Sequence, residues 1–314
     1  MRVLLTGAAG FVGSNVVAEA VARGDDVAGL VRTTPPRPEP RCRYVSVDLL
    51  DATAVRAAVA DARPDAIVHT AILNDFARIY ADRRAGWDAY VGVTRTLADA
   101  ANACGAALVT VSSDWVFDGT QARADEATPP NPVNYYGVLK AASELVTLER
   151  AREPVVARIA GVMGTHRAGG ETPREQDAGF GYFVTAVVDA LAAGRTFTVW
   201  ESDAINGVAT PSLASVSARW MLDLAEHGSR GIFHCVGADE TGRLELARRA
   251  AATFGLDEGL LRSGPPDTAA LPPAPIPYDT SLDARATARA LERELPSLER
   301  LLQALRDERE AVAA

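Results

Sequence analysis

The sequence predicts a doubly wound α/β protein: a parallel sheet with helices on both faces, joined by a smaller, discontinuous C-terminal lobe. Three observations predict it. Residues 3–5 are apolar, Gly7, Gly10 and Gly13 break the run, and residues 14–23 carry helical patterning that stops at Gly24. Short apolar runs then alternate with helical stretches as far as residue 160, as a sheet of parallel strands requires. Beyond that point the alternation loosens into glycine- and proline-rich stretches before it resumes.

The glycines have a physical reason. Gly7 lets the chain turn tightly off the strand, Gly10 lets backbone approach a pyrophosphate, and Gly13 lets the helix pack closely on the strand. Free amides at the positive end of the helix then face the diphosphate. The stretch therefore reads as a Rossmann-like dinucleotide site, the plainer alternative being a glycine-rich turn that binds nothing.

Residues 26–31 form the second strand, which ends Val31-Arg32 without an acid. An acid there would accept from a free ribose 2′-hydroxyl, whereas a guanidinium pairs with a 2′-phosphate. The expected cofactor is NADP(H) in preference to NAD(H), against the alternative that Arg32 is an ordinary surface arginine. Residues 33–41 form a loop and residues 44–47 the third strand, closed by Asp48-Leu49. Asp48 either accepts from an adenine amino group or, like Asp51, caps the helix that runs to residue 62.

Residues 66–71 are the fourth strand, with His69 read as a packed strand histidine. A helix containing Leu97, Ala100 and Ala101 stops at Gly105, and residues 107–112 are the fifth strand. It runs out through Ser112, Ser113, Asp114 and Trp115, polar groups at the end where α/β sheets place ligands. Residues 128–134 hold three prolines and two asparagines and lead into a helix on which Tyr136 and Lys140, four apart, share a face.

These features resemble the extended short-chain dehydrogenase/reductases: the N-terminal glycine motif, a serine closing the fifth strand, then Y-x-x-x-K. Residues 112–119 and 128–144 are similar to dTDP-4-dehydrorhamnose reductases, whose usual wording at the first is S-T-D-Y-V-F-D-G. Weaker similarity runs through residues 155–164, 231–236 and 279–283. The resemblance implies that Ser113, Tyr136 and Lys140 are catalytic, Ser113 standing for the family's threonine. It places Gly7, Gly10, Phe11 and Val12 at the pyrophosphate, Asp48 and Leu49 at the adenine, and Ala71, Ile72 and Leu73 near the nicotinamide ribose. Ser113, Asp114, Trp115 and Met163 would meet the substrate, a nucleotide-activated 4-keto-6-deoxy sugar whose keto group is reduced with NADP(H), or with NAD(H).

The chemistry asks for the same residue types. Reducing a ketone takes a hydride, which the nicotinamide carries, and a proton on the oxygen. Tyrosine, with an ordinary pKa of about 10, needs a nearby cation to shuttle protons near neutrality. Lys140 is expected to lower the Tyr136 phenol and hold the ribose, while Ser113 polarises the carbonyl.

Three positions depart from the family. Trp115 replaces its tyrosine, Gly161 stands where a tryptophan follows the sixth strand, and Tyr90 replaces the asparagine of the fourth helix. Sugar-nucleotide dehydratases and epimerases of the same superfamily are the alternative enzymes, but dehydratases carry Asp-Glu where this chain has Asp114-Trp115. A non-catalytic binding subunit, as in methionine adenosyltransferase, is the alternative from another class.

In the second half, residues 155–159 form the sixth strand and 165–179 read as a mobile loop over the substrate site. Helices are expected at 180–193, 209–225 and 242–254, strands at 196–200 and 232–236, and a proline-rich loop at 264–277. Leu291, Leu295, Leu298, Leu302 and Leu305 form an apolar stripe read as packing on the body, with a homodimer contact as the alternative; Pro296 suits a first helical turn. The expected division is a nucleotide domain of residues 1–160, rejoined at about 208–230, and a substrate lobe of 161–207 and 231–314.

Composition excludes several other classes. The 314 residues are 48% hydrophobic, ample for a core, and the net charge of −9 argues against nucleic acid or anionic membrane as partner. Cys42, Cys104, Cys235 and four histidines lack metal-ligand spacing, so a reducing, cytoplasmic setting without a metal is expected. The first strand begins at once, leaving no room for a signal peptide, and no apolar run approaches the roughly 20 residues of a membrane span.

Overall fold

The computed structural model describes residues 1–73, 75–169 and 176–313. Its central sheet contains β1 (Arg2–Thr6), β2 (Asp26–Val31), β3 (Cys42–Ser46), β4 (Ala66–His69), β5 (Ala107–Ser113), β6 (Pro154–Ile159) and an edge strand, Gly231–His234. All seven run parallel, in the order edge strand, β6, β5, β4, β1, β2, β3. The strand order reverses between β1 and β4, the switch point at which such sheets open a ligand crevice.

Strand alternation explains how both faces are covered. Val3 and Leu5 of β1 face α1 (Phe11–Ala22), while Leu4 between them faces α2 (Ala52–Ala62). Next come α3 (Phe76–Ala81), α4 (Arg83–Trp87) and, after a π-helical segment at Asp88–Gly92, α5 (Val93–Cys104) and α6 (Tyr135–Arg150). Asp51 caps α2 by accepting from the amides of Thr53 and Ala54, and Gly105 ends α5 at φ 75°. Asp48, the other candidate cap, accepts from the amide of Leu50 in the preceding turn.

The second lobe packs α7 (Phe183–Ala192), α9 (Arg243–Phe254) and α11 (Leu298–Ala313) around one apolar cluster, while α8 (Ala214–Glu226) lies against α1. Leu298, Leu302 and Leu305 are buried in that cluster and Leu291 in the sheet core, so the C-terminal stripe packs on the body. The short helix α10 (Arg285–Ala290) precedes it.

Several boundaries differ from the sequence expectation. The predicted helix 209–225 begins only at Ala214 and is preceded by two short strands, Val208–Ala209 and Ser212–Leu213, Pro211 disfavouring helical backbone at Thr210 before it. Leu261–Gly264, of which only Gly264 falls in an expected loop and the rest carry no assignment, pairs with Phe197–Trp200. Gly231–His234 pairs with β6, so these four residues belong to the sheet and not, as expected, to the smaller lobe. Of the expected loop 165–179, residues 170–175 lie outside the described residues. Its first part binds α1: the Asn15 amide donates to the Thr165 carbonyl at 3.0 Å and Arg167 Nε to Asn15 Oδ1 at 3.1 Å.

One buried ion pair ties α6 to the sheet. Arg158 of β6 donates from Nε and Nη2 to the two carboxylate oxygens of Glu144, each at 2.8 Å, and both side chains are excluded from solvent. Phe117 lies under the guanidinium, and His234 of the edge strand stands 3.4 Å away. Removing one partner of such a pair leaves an uncompensated buried charge. Glu144→Ala is expected to lower the unfolding free energy by about 3–5 kcal/mol in a denaturant titration. A loss below about 1 kcal/mol, the range of an exposed pair, would show that the pair does not anchor the helix.

Candidate active site

The carboxyl ends of β4, β5 and β6, the first turn of α1 and the second lobe enclose a cavity of about 540 Å³. It brings together eight of the residues predicted from sequence: Phe11, Val12, Ile72, Ser113, Asp114, Trp115, Tyr136 and Lys140. Parallel pairing sets β5 beside β6, with Ser112 opposite Arg158 and Ser113 opposite Ile159, so the serines emerge where β5 ends.

α6 carries the other half. Asn134 caps it, accepting from the amide of Gly137 at 2.9 Å and donating to the Pro275 carbonyl at 3.0 Å. A Cβ on Gly137 would come within 2.2 Å of the Trp115 carbonyl oxygen, so the first turn of α6 lies directly on the chain leaving β5. Tyr136 and Lys140 then face the cavity, and Tyr136 sits among Phe76, Trp115 and Tyr90 with ring centroids 5.4, 5.9 and 6.1 Å away. Tyr135 points elsewhere, its hydroxyl donating to the Arg83 carbonyl at 2.6 Å.

The electrostatics correct one expectation. Burial pushes the Tyr136 phenol above its ordinary pKa, with Ser113 pulling the other way and the Asp114 charge adding to the rise. Lys140 does not lower it: its Nζ donates to the Val111 carbonyl at 2.8 Å and lies 5.9 Å from the phenol ring centroid. Desolvation outweighs that distant charge. Burial also lowers Lys140 to about 8, Glu144 pulling upward, so the ammonium stays charged at neutral pH. Asp114 is lifted by burial to about 6 while hydroxyls of Thr280 and Ser113 hold it down. His69 is pushed down to about 3, chiefly by burial and then by the Lys140 charge, and pairs with the Thr6 hydroxyl at 2.7 Å as a packed strand histidine.

The remaining predicted residues lie elsewhere. Met163 is a correction: it is buried in the apolar core of the second lobe, because alternation along Val162–Met163 points Val162, and not Met163, into the cavity. Arg32 and Asp48, at the ends of β2 and β3, have exposed side chains, and Leu49 is half-buried. Leu73 is half-buried, its carbonyl accepting from Tyr90 at 3.2 Å. Thr280 and Asn206 were missed by the sequence reading. Thr280 Oγ1 donates to Asp114 Oδ2 at 2.5 Å and reaches Asn206 Oδ1 at 3.3 Å. The one signal for Thr280 was the weak similarity around residues 279–283.

The glycine turn fits a dinucleotide diphosphate. Gly7 has φ +70° with Ala71 backbone 2.8 Å from where a Cβ would be, and a Cβ on Gly13 would lie 2.0 Å from the Gly7 carbonyl oxygen. The N-cap of α1 is Gly10, with no side-chain cap and no acid in the first turn, so its amides are left for an anion. The residues that would hold a nicotinamide cofactor are therefore Gly7, Gly10, Phe11 and Val12 at the diphosphate, and Tyr136 and Lys140 at the opposite end of the crevice.

Gly137→Ala is expected to destabilise the fold by about 1–3 kcal/mol in thermal or denaturant unfolding, the cost of overpacking a closed contact. Wild-type stability in that variant would mean that α6 does not rest on the Trp115 carbonyl.

Residues 1–310 match the model of the RmlD substrate-binding domain. A dTDP-4-keto-6-deoxy-D-glucose reductase of Streptomyces niveus is 29% identical over 85% of this chain and 83% of its own. The methionine adenosyltransferase 2 subunit beta of Bos taurus is 31% identical, covering 83% of this chain and 74% of its own. Among solved structures, the dTDP-4-dehydrorhamnose reductase of Bacillus anthracis in complex with NADP superposes with a TM-score of 0.77 at 20% identity, covering 98% of this chain and 99% of that one. Fold, glycine turn and matched length agree, and the chain belongs to the RmlD substrate-binding-domain family.

Proposed function

We propose that the protein reduces the keto group of a nucleotide-activated 4-keto-6-deoxy sugar, using NADP(H) in preference to NAD(H). The observation that carries this reading is the half-buried Tyr136 side chain, which shares one cavity with Ser113 and Lys140 beside the glycine turn. A phenol held above its ordinary pKa stays protonated at neutral pH, which suits a proton donor to a carbonyl oxygen gaining charge. A bound nicotinamide would supply the hydride. Lys140 keeps its charge on the wall of the same cavity, and a Ser113 hydroxyl turned into the cavity would polarise the carbonyl. The aromatic wall of Phe76, Trp115 and Tyr136 excludes water and offers a face to the sugar ring. Arg32 supports the preference for a 2′-phosphate, with Asp48 and Leu49 assigned to the adenine and Ala71 to Leu73 to the nicotinamide ribose.

In an assay with NADPH and dTDP-4-keto-6-deoxyglucose, the protein is expected to consume the cofactor, and NADH more slowly. Absence of oxidation across a panel of keto-sugar nucleotides would remove the substrate assignment. Tyr136→Phe should lower turnover by roughly 10²–10⁴-fold, as for loss of a general acid, while cofactor binding persists. Tyr135→Phe is the control; if it proves the more damaging, Tyr136 is not the donor.

Lys140 gives a pH test. Its folded pKa lies below the ordinary lysine value, so its charge is present below about 8 and lost as pH rises through it. Dinucleotide affinity, read by fluorescence titration, should fall through that range in the wild type and be weak and flat in Lys140→Met. An unchanged wild-type profile would place the ribose away from Lys140.

The 31% identity to an adenosyltransferase beta subunit favours a second reading, a partner subunit without turnover. Ser113, Tyr136 and Lys140 in one cavity weigh against it. Co-purification of an enzyme whose activity this chain alters, with no reduction by the chain itself, would reverse the order.

A further inference from the structure

We infer that Asp114 directs the proton of the Ser113 hydroxyl, holding it back from the substrate carbonyl when ionised and releasing it when protonated. The inference rests on the reductase reading and assigns a residue that tunes it.

A serine hydroxyl has one hydrogen to give. Here Ser113 Oγ donates it to Asp114 Oδ1 at 2.8 Å, and the same oxygen accepts from the Trp115 amide at 3.2 Å. A carboxylate is a far stronger acceptor than a ketone, so while Asp114 is ionised the serine proton stays on it. The second carboxylate oxygen is also engaged, by Thr280 Oγ1. Thr280 comes from the second lobe, on the short strand Asp279–Thr280 that pairs with Val208–Ala209. Asn206, which Thr280 also touches, is fixed by donating from Nδ2 to the carbonyls of Val208 at 3.1 Å and Tyr278 at 2.9 Å. With both oxygens taken by protein hydroxyls, Asp114 acts through Ser113.

Protonation reverses the arrangement. A protonated Asp114 donates its own hydrogen to Ser113 Oγ, and the serine hydrogen is free to turn into the cavity. The one bond formed is the O–H of the Asp114 carboxyl, its proton taken from solvent, and no bond between heavy atoms changes. Burial lifts Asp114 to about 6, so the change falls within an accessible pH range. Among the described residues, the charged and titratable groups around it are Tyr136 and Lys140 on α6, Asp177 before α7, and Arg243 on α9. Arg243 is turned aside, its Nε donating to the Asn206 carbonyl and its Nη2 to the Asp177 carbonyl.

The test is the pH profile of kcat with NADPH and dTDP-4-keto-6-deoxyglucose, folding of each variant being checked by thermal melt. Wild-type kcat should fall by roughly tenfold or more as pH rises through about 6. Asp114→Asn mimics the protonated acid, since its amide nitrogen can donate to Ser113 while its oxygen accepts from Thr280. Its profile should be flat, with kcat above wild type at pH 7.5. Thr280→Val removes a donor that favours the ionised acid, so the fall should move to higher pH, and Thr280→Ser should restore its position. If Asp114→Asn does not fold, the two Thr280 variants decide. Turnover by the wild type with no fall near pH 6 overturns the inference alone, as does a fall that survives in Asp114→Asn or stays in place in Thr280→Val. No turnover at any pH overturns the reductase reading and this inference with it.

Discussion

The cavity depends on where α6 sits, and the Arg158–Glu144 ion pair fixes that. Arg158 belongs to β6 and lies opposite Ser112 of β5, so its guanidinium is indexed to the strands whose ends open into the cavity. Tyr136, Lys140 and Glu144 follow one another at intervals of four on one face of the helix. Gripping Glu144 through both carboxylate oxygens therefore sets the height and rotation of the two residues that face the cavity. The N-terminal end is fixed independently, by the Asn134 cap and by Gly137 lying on the Trp115 carbonyl. Two restraints on one rigid helix leave little freedom for the phenol between them.

Much of this was legible in the sequence because it is encoded locally. The glycine turn needs three residues at fixed spacing, Tyr136 and Lys140 need only a helix, and buried parallel strands announce themselves as continuous apolar runs. What was not legible depends on packing between distant segments. Thr280 is one ordinary threonine beside a proline-rich stretch until the second lobe brings it to Asp114. The facing of Met163 depends on which neighbour its two-residue strand finds, Ser212–Leu213. The expected effect of Lys140 on Tyr136 failed for a related reason: spacing gives a pair of groups, whereas the phenol's proton affinity is set by how far the whole surround excludes water.

The three departures from the family wording each have a place in the packing around the cavity. Trp115 is larger than the tyrosine it replaces, and it is accommodated because position 179 is glycine: a Cβ there would meet the indole at 3.2 Å. Gly161, at φ +47°, turns the chain sharply after β6 and lies against Phe180 and Pro211. Tyr90, in place of an asparagine, packs edge-on to Tyr136 and ties the segment after β4 through the Leu73 carbonyl.

The lobes differ in when their chain becomes available. The glycine turn is complete once Thr70 and Ala71 have joined the first strand, the Thr70 hydroxyl donating to the Thr6 carbonyl at 2.8 Å. Asp114 waits for Thr280, 166 residues further on. During synthesis the nucleotide half can therefore assemble while the ribosome is still making the lobe that governs its serine, in keeping with N-terminal units folding first. A nascent chain passes through a stage with the phosphate turn formed and the acid beside Ser113 still without its second hydroxyl. Translation order alone thus separates completion of the glycine turn from completion of the contacts around Asp114.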